Sequence, residues 1–515
     1  MKKVRVDLVL VVTLLVSVGL VFSGVTLAEE KQGGKLNVAI GADPEALDPL
    51  EMSSAPAAMV MLHTMEPLFE MTPEGDIEPL LAKGYEVSED GLEYDILLEE
   101  GVTFHDGTKF DAEAVKFNLD RFQDAIFSFL IEEIVEVEVV DDYTVRLHLD
   151  RPFAPMMAHL SHDFIGMASP TAVEKYGEDF ATNPVGTGPF EFVEWTRGEE
   201  IVLEKFDEYW GENAYLDAVT FSIVPEDSTR VVMVETGEAD AAMFVPPKEM
   251  ERLQDVPDVD VVQATSVRTI YLGFNHTKEP FDEPKVRRAL NYAVDNKAIV
   301  EQVMDGAGRP SDAPISPDIF GYSQQDLYEY DPEKAEQLLE EAGYEDGLEV
   351  TLHHPVGRYM MDETVAQAVQ AQLDDVGVDV KLQTLEWATY LEFMNVPPEE
   401  SEHEMYMLGW GTVTGDADYG LYPLFHTEEW VPEGSNRSYT DYPRVDELLD
   451  EARVTPDSEK RKGLYEEAIE TLWDKAPWVF LHSEVQINAV REGVEGLVHH
   501  PREYIVLKNA YLAEE

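Results

Sequence analysis

The sequence has no cysteine in its 515 residues. Disulfides, thiolate metal sites and cysteine nucleophiles are therefore excluded, and so is a lipid-modified N-terminal cysteine. Basic residues are scarce: 37 Lys and Arg stand against 105 Asp and Glu, a formal net charge of -68. A surface of that sign repels nucleic-acid phosphates and anionic headgroups, so neither is expected as a partner. The acids are spread along the chain rather than gathered in a tail. That pattern points to a solvation strategy, adaptation to high salt, where counterions screen the self-repulsion. Beyond the N-terminal region no stretch is long and apolar enough to cross a bilayer.

Catalytic signatures are missing too. There is no Gly-rich phosphate loop ending in Lys-Ser or Lys-Thr, no His-Glu-x-x-His and no Gly-x-Ser-x-Gly. Paired carboxylates carry no information in so acidic a chain. His353-His354 and His499-His500 are the histidine doublets. Adjacent residues rarely share one compact metal site, so solvated surface pairs are expected and no metal or cofactor is assigned.

What is present is ordinary for a globular chain: 44% apolar and 10% aromatic residues. The length exceeds what one hydrophobic core supports, so two or three domains are expected. Lys2, Lys3 and Arg5, an apolar run from Leu8 to Val21, and small residues Thr26 and Ala28 before Glu29 read as a signal peptide over residues 1–28. The chain is thus expected to be exported and to work in the periplasm or outside the cell.

Leu36–Ile40 and Tyr94–Leu98 read as strands, Asp111 as the cap of a helix carrying Val115, Leu119 and Phe122, and residues 137–149 as a hairpin. Pro284 opens a helix with Val286, Ala289, Leu290 and Ala293 on one face, and Asp331-Pro332 opens another that Gly343 stops. A helix around Pro477 and a strand Val485–Val490 are expected to return the chain to its first domain. Leu348–Leu352, Asp362–Val376 and Val378–Leu382 form a strand–helix–strand unit with parallel strands. In such units ligands bind where loops leave the carboxyl ends of the strands. Here that loop is His353-His354-Pro355-Val356-Gly357-Arg358-Tyr359, followed by a helix N-terminus suited to an anion.

Several segments in order carry a family resemblance. They are Glu86–Tyr94 continuing to Gly101-Val102-Thr103-Phe104-His105-Asp106-Gly107, then Gly186-Thr187-Gly188-Pro189-Phe190, Tyr209-Trp210-Gly211, Gly237-Glu238-Ala239-Asp240, and Val286–Asp295. With them the chain resembles the extracytoplasmic solute-binding proteins of peptide, glutathione and nickel ABC importers. The resemblance implies an α/β, two-lobed periplasmic-binding-protein clamp of the Venus-flytrap type with an extra subdomain in the first lobe. Lobe I would comprise residues 29–65, 185–280 and 485–515, the extra subdomain 66–184, and lobe II 281–484. It further implies a monomer without enzymatic activity that captures a dipeptide, oligopeptide or glutathione and hands it to membrane permease subunits, driven indirectly by an ATPase.

Arg358 matches the arginine that grips a ligand carboxylate in dipeptide binders of that family, with Tyr359 beside it. The family's ammonium-holding acid follows a Gly-Trp pair, but after Gly409-Trp410 the matching position is Val413. The string Gly411-Thr412-Val413-Thr414-Gly415-Asp416-Ala417-Asp418 looks closer to glutathione-type binders. Ligand contacts are therefore expected from Trp410, Gly411, Thr412 and Thr414, with Asp416 or Asp418 taking the cation. Both acids also suit a Gly-rich turn. Met52, Ser53 and Ser54 sit where the family places first-lobe contacts. Alternatives left open are a nickel or metal-chelate binder of the same family, using His353 and His354, an extracellular peptide hydrolase, and a structural envelope protein.

Overall fold

Two long strands, Val259–Phe274 and Trp478–Arg491, run antiparallel through the centre of the computed structural model, which describes residues 33–513. The expected signal peptide lies outside the described residues. Beyond the first long strand the sheet continues through Met405–Gly411, Leu348–Pro355 and Val378–Leu385. Beyond the second it continues through Ala241–Ala242, Lys35–Ile40, Ala218–Ile223, Glu200–Lys205 and Phe190–Thr196. The pairing of the two long strands breaks between Thr265 and Thr269, where three residues oppose Glu484 alone. A bulge interrupts the ladder and adds local bend.

The strand–helix–strand unit forms, but both strands run three residues further than expected, so His353, His354 and Pro355 belong to the first strand and not to the loop. Leu348–Pro355 and Val378–Leu385 pair in parallel, and helix Asp362–Asp374 crosses between them with Val365, Ala366, Val369 and Leu373 buried. Helix Pro284–Ala293 buries Val286, Ala289, Leu290 and Ala293 against the same core. Each buried valine or leucine among them contributes on the order of 1.5–3 kcal/mol, the alanines less. Between Lys35–Ile40 and Phe190–Thr196 the chain builds a separate antiparallel sheet of Ala82–Val87, Glu93–Leu98, Thr144–Leu149 and Ile134–Asp141. Helix Ala112–Phe122, capped by the Asp111 carboxylate accepting from the Ala114 amide, packs on it.

The glycines of Gly186-Thr187-Gly188 press against the backbone of residues 63–65, where any side chain would collide with the Thr64 and His63 carbonyls. The Tyr209-Trp210 pair donates to the buried Glu66 carboxylate at 2.5 and 2.9 Å. These segments are thus packing features.

Two expectations need correction. The returning strand begins at Trp478 rather than Val485, and the helix placed around Pro477 is Ser458–Lys475, which ends before it. Trp478–Arg491 is buried on both faces over most of its length, so alternation does not mark its start. Among the described residues no helix is long and apolar enough to cross a membrane.

Candidate functional site

The loop after Leu348–Pro355 is pinned from within. Asp362, the first residue of the following helix, accepts amide hydrogens from Gly357 at 3.3 Å, Arg358 at 2.9 Å, Tyr359 at 3.2 Å and Glu363 at 2.8 Å. The helix N-terminus expected to receive an anion is therefore filled by the chain's own carboxylate. Its effect is to hold Tyr359 in the core and send the Arg358 side chain outward. The Arg358 guanidinium lies about 5 Å from the ring centres of both Tyr359 and Trp387, at 5.1 and 5.0 Å. It is exposed, and among the described residues it makes no hydrogen bond and no ion pair.

This loop lies against the bulge in the central strands. The Met360 amide donates to Glu484 at 3.4 Å. Glu484 also meets Arg268 Nε at 3.3 Å, and the same Nε lies 3.6 Å from Glu503, which accepts from Ser266 Oγ at 2.7 Å. Burial pushes the Glu484 carboxyl up to about 7; Glu503 adds to the rise, while Arg268 and Arg358 oppose it. Two carboxylates and one guanidinium thus meet at the bulge in the central strands.

A cavity of about 200 Å³ opens beside this group. Ser53, Ala55 and Ala58 form one wall, and Phe127, His162 and Phe164 of the inserted segment another. Val267, Arg268, Val413, Arg502 and Glu503 complete it. Enclosed ligand pockets usually measure about 300–1,000 Å³, so this one takes a small solute or one end of a longer one. A cavity of about 650 Å³ lies elsewhere, around Arg287, Tyr442 and Trp430. There Arg287 donates to the carbonyls of Phe281, Lys475 and Ala476, closing the end of helix Ser458–Lys475. That arginine is thus structural, and the space around it is an open surface recess.

The other expected residues divide. Ser53 lines the small cavity, as does Val413, the position at which the family's ammonium-holding acid is missing. Ser54 caps helix Ala55–Met61 and bonds to Glu45, while Met52 is fully buried in the core and has no surface to offer a ligand. Trp410 is half-buried and donates to the Tyr419 carbonyl at 2.8 Å, with its ring tilted on Tyr419. Gly411 pairs with Arg268 across the sheet, and Thr412 donates its amide to Val267. Thr414 is buried, and its carbonyl accepts from Arg502 at 3.3 Å.

Asp416 caps helix Ala417–Phe425, pairs with Arg461 at 2.8 Å and accepts from Tyr465. Asp418 pairs with Arg453 at 3.1 Å. Both are buried, and each already has a guanidinium, so neither is left to meet a ligand cation. His353 and His354 are buried: His354 spans to the Pro355 carbonyl and Thr384, and His353 packs on Phe393. The doublet is therefore not a solvated pair. Among the described residues no group of three or more His, Asp or Glu could hold a metal ion.

Arg268, Glu484, Arg502 and Glu503 escaped sequence reasoning. They come from the two central strands and a C-terminal turn, so no local spacing joins them.

The chain as a whole has counterparts among known proteins. Residues 76–431 match the middle region of the bacterial extracellular solute-binding proteins, family 5. The chain belongs to that family. The glutathione-binding protein GsiB of Salmonella paratyphi A is 35% identical over 465 residues, covering 89% of this chain and 91% of GsiB. The structure of HbpA2 from Haemophilus parasuis superposes with a TM-score of 0.86 at 28% identity, covering 93% of this chain and all of that one. The periplasmic binding protein DppA from Helicobacter pylori, in complex with the peptide STSA, gives 0.76 at 30% identity, over 94% of this chain and 99% of DppA.

Proposed function

We propose that this protein is the solute-capturing component of an ABC importer and that its solute is small, peptide-like and carboxylate-bearing. It works outside the cytoplasm as a monomer, without catalysis, and delivers the solute to permease subunits in the membrane. The two lobes and inserted subdomain expected from the sequence close on the solute about the bulge at residues 266–268 and 484.

The observation that carries this reading is the bare guanidinium of Arg358. In a chain with 105 acids against 37 bases, carboxylates that could pair with a surface arginine are plentiful. This one is instead held over two aromatic rings by a loop fixed on Asp362. A guanidinium presents a planar fork that pairs bidentately with a carboxylate. Relatives named for binding glutathione and a solved relative holding a peptide support the same ligand class.

Isothermal titration calorimetry with glutathione and a set of di-, tri- and tetrapeptides tests it. Peptides with a free C-terminal carboxylate should bind, and amidation of that terminus should weaken them at least about tenfold, roughly 1.4 kcal/mol. No binding by any of them, or cleavage of a bound peptide, would sink the reading.

A further inference from the structure

Resting on the cleft reading above, we infer that His162, on the inserted segment, donates its Nε2–H to a peptide carbonyl of the solute, so that the protein selects solutes with an uncharged acceptor oxygen at that point. His162 precedes the short turn Asp163–Ile165, and its Nδ1 accepts the Phe164 amide hydrogen at 3.2 Å. A backbone amide only donates, so Nδ1 holds the lone pair and the ring's proton sits on Nε2. The ring is also fixed, with its centre 6.0 Å from that of Phe127, on which it stacks, and 4.7 Å from that of Phe164. A donor held in place loses little freedom when it binds.

The residue is 4% exposed and lines the small cavity. Its Nδ1 is taken by Phe164, and among the described residues no acceptor meets its Nε2–H. A buried donor without an acceptor is unfavourable, and a solute oxygen in the cavity relieves it. Phe127, Phe164 and Val413 give the wall apolar surface, so the bond forms where water competes poorly.

The charges on the cavity wall favour a neutral oxygen over a carboxylate at this point. Two guanidiniums, Arg268 and Arg502, stand against two carboxylates, Glu503 and Asp163. Each is paired: Arg502 meets Asp163 at 3.3 Å, and Arg268 Nε lies 3.6 Å from Glu503 and 3.3 Å from Glu484. Burial, with Arg502 adding to it, holds His162 at a pKa of about 3, so the ring is an uncharged donor near neutral pH. The same tautomer leaves Nε2 no lone pair for a metal ion. Freeing one would put the proton on Nδ1, against the Phe164 N–H.

Calorimetry near neutral pH tests this with Ala-Leu and S-methylglutathione, each as such and with one peptide C=O in turn changed to C=S, a weaker acceptor. The unmodified protein should prefer the oxo form at one peptide bond by about three- to tenfold, the reach of one neutral hydrogen bond. His162→Asn keeps an acceptor for the Phe164 amide but places no donor at the Nε2 position, so it should bind the oxo and thio forms alike. His162→Gln, which returns a donor there, should recover part of the preference. Equal affinity for both forms in the unmodified protein overturns the inference while the cleft reading stands, and that comparison needs no variant. A preference that survives in His162→Asn, with both forms weakened alike, shows a merely structural role and overturns it too. Failure of every probe to bind overturns both readings.

Discussion

Replacing Arg358 with alanine removes the one arginine that, among the described residues, has neither a hydrogen bond nor an ion pair from its side chain. Because that side chain touches only the Tyr359 and Trp387 rings, the substitution should change the unfolding free energy by no more than about 1 kcal/mol. It should weaken a carboxylate-bearing solute at least about tenfold, about 1.4 kcal/mol. Calorimetry and urea denaturation on the same sample separate the two quantities, and unchanged affinity would reject the assignment. Arg358 was legible because a loop leaving a parallel strand has a known geometric meaning. What the sequence could not show is that Asp362 fills the helix N-terminus and aims the arginine. Nor could it place Glu484 beside Glu503, since their meeting depends on the closure of the whole sheet.

At the scale of elements, helix Ala417–Phe425 decides between two roles for its acids. Asp416 caps that helix and pairs with a buried guanidinium, so Asp416→Ala leaves Arg461 buried without its carboxylate. Breaking a buried pair by removing one partner costs about 3–5 kcal/mol. Denaturant melts should show a loss of that order, with solute affinity changed less than about twofold. Full stability with lost affinity would return Asp416 to the ligand site. The Gly-rich string around it was readable as a turn from its Asp and Gly content, but its partners, Arg453 and Arg461, sit on other helices and left no trace in local spacing. The strand–helix–strand unit was legible in its order and apolar period, but not in its strand ends, because the parallel pairing continues through His353, His354 and Pro355. The long strand from Trp478 was not legible, because continuous burial erases the alternation that marks a strand.

For the whole molecule, charge and buried imidazoles set the response to solvent. Burial holds His63, His105, His159, His482, His499 and His500 at pKa values of about 4, and His162 and His403 at about 3. These lie below the usual 6.5, so between about pH 6.5 and 4 the unfolded chain binds protons that the folded chain refuses. Stability from these groups is present above pH 6.5 and is lost as pH falls, by about 1.4 kcal/mol per pH unit for each proton taken up on unfolding. Glu66 and Asp418, raised by burial to about 6, and Glu484, raised to about 7, act in the opposite sense. Burial also raises Glu70, Glu133, Glu191, Asp240 and Glu429 and lowers His276 and His353, so ten histidines stand against eight carboxyls and leave the first effect dominant. Urea denaturation should therefore show markedly lower stability at pH 5 than at pH 7.5; a flat or rising profile toward acid would contradict this.

The net charge of -68 adds a salt dependence. Raising NaCl from about 0.1 M to 1 M shortens the screening length from roughly 10 to 3 Å. That should raise the thermal midpoint, while an unchanged midpoint would mean the acids are not a strategy for salt. The sign of this effect was plain from composition alone. Which histidines are buried was not, since imidazoles occur on both faces of strands and in loops.

Native mass spectrometry of the freshly purified protein, run beside its Arg358→Ala variant, tests the central account most directly. The account predicts a retained small solute of peptide-like mass on the original protein and its loss from the variant. A protein that carries and accepts no such solute, or a variant that retains it equally, would contradict it.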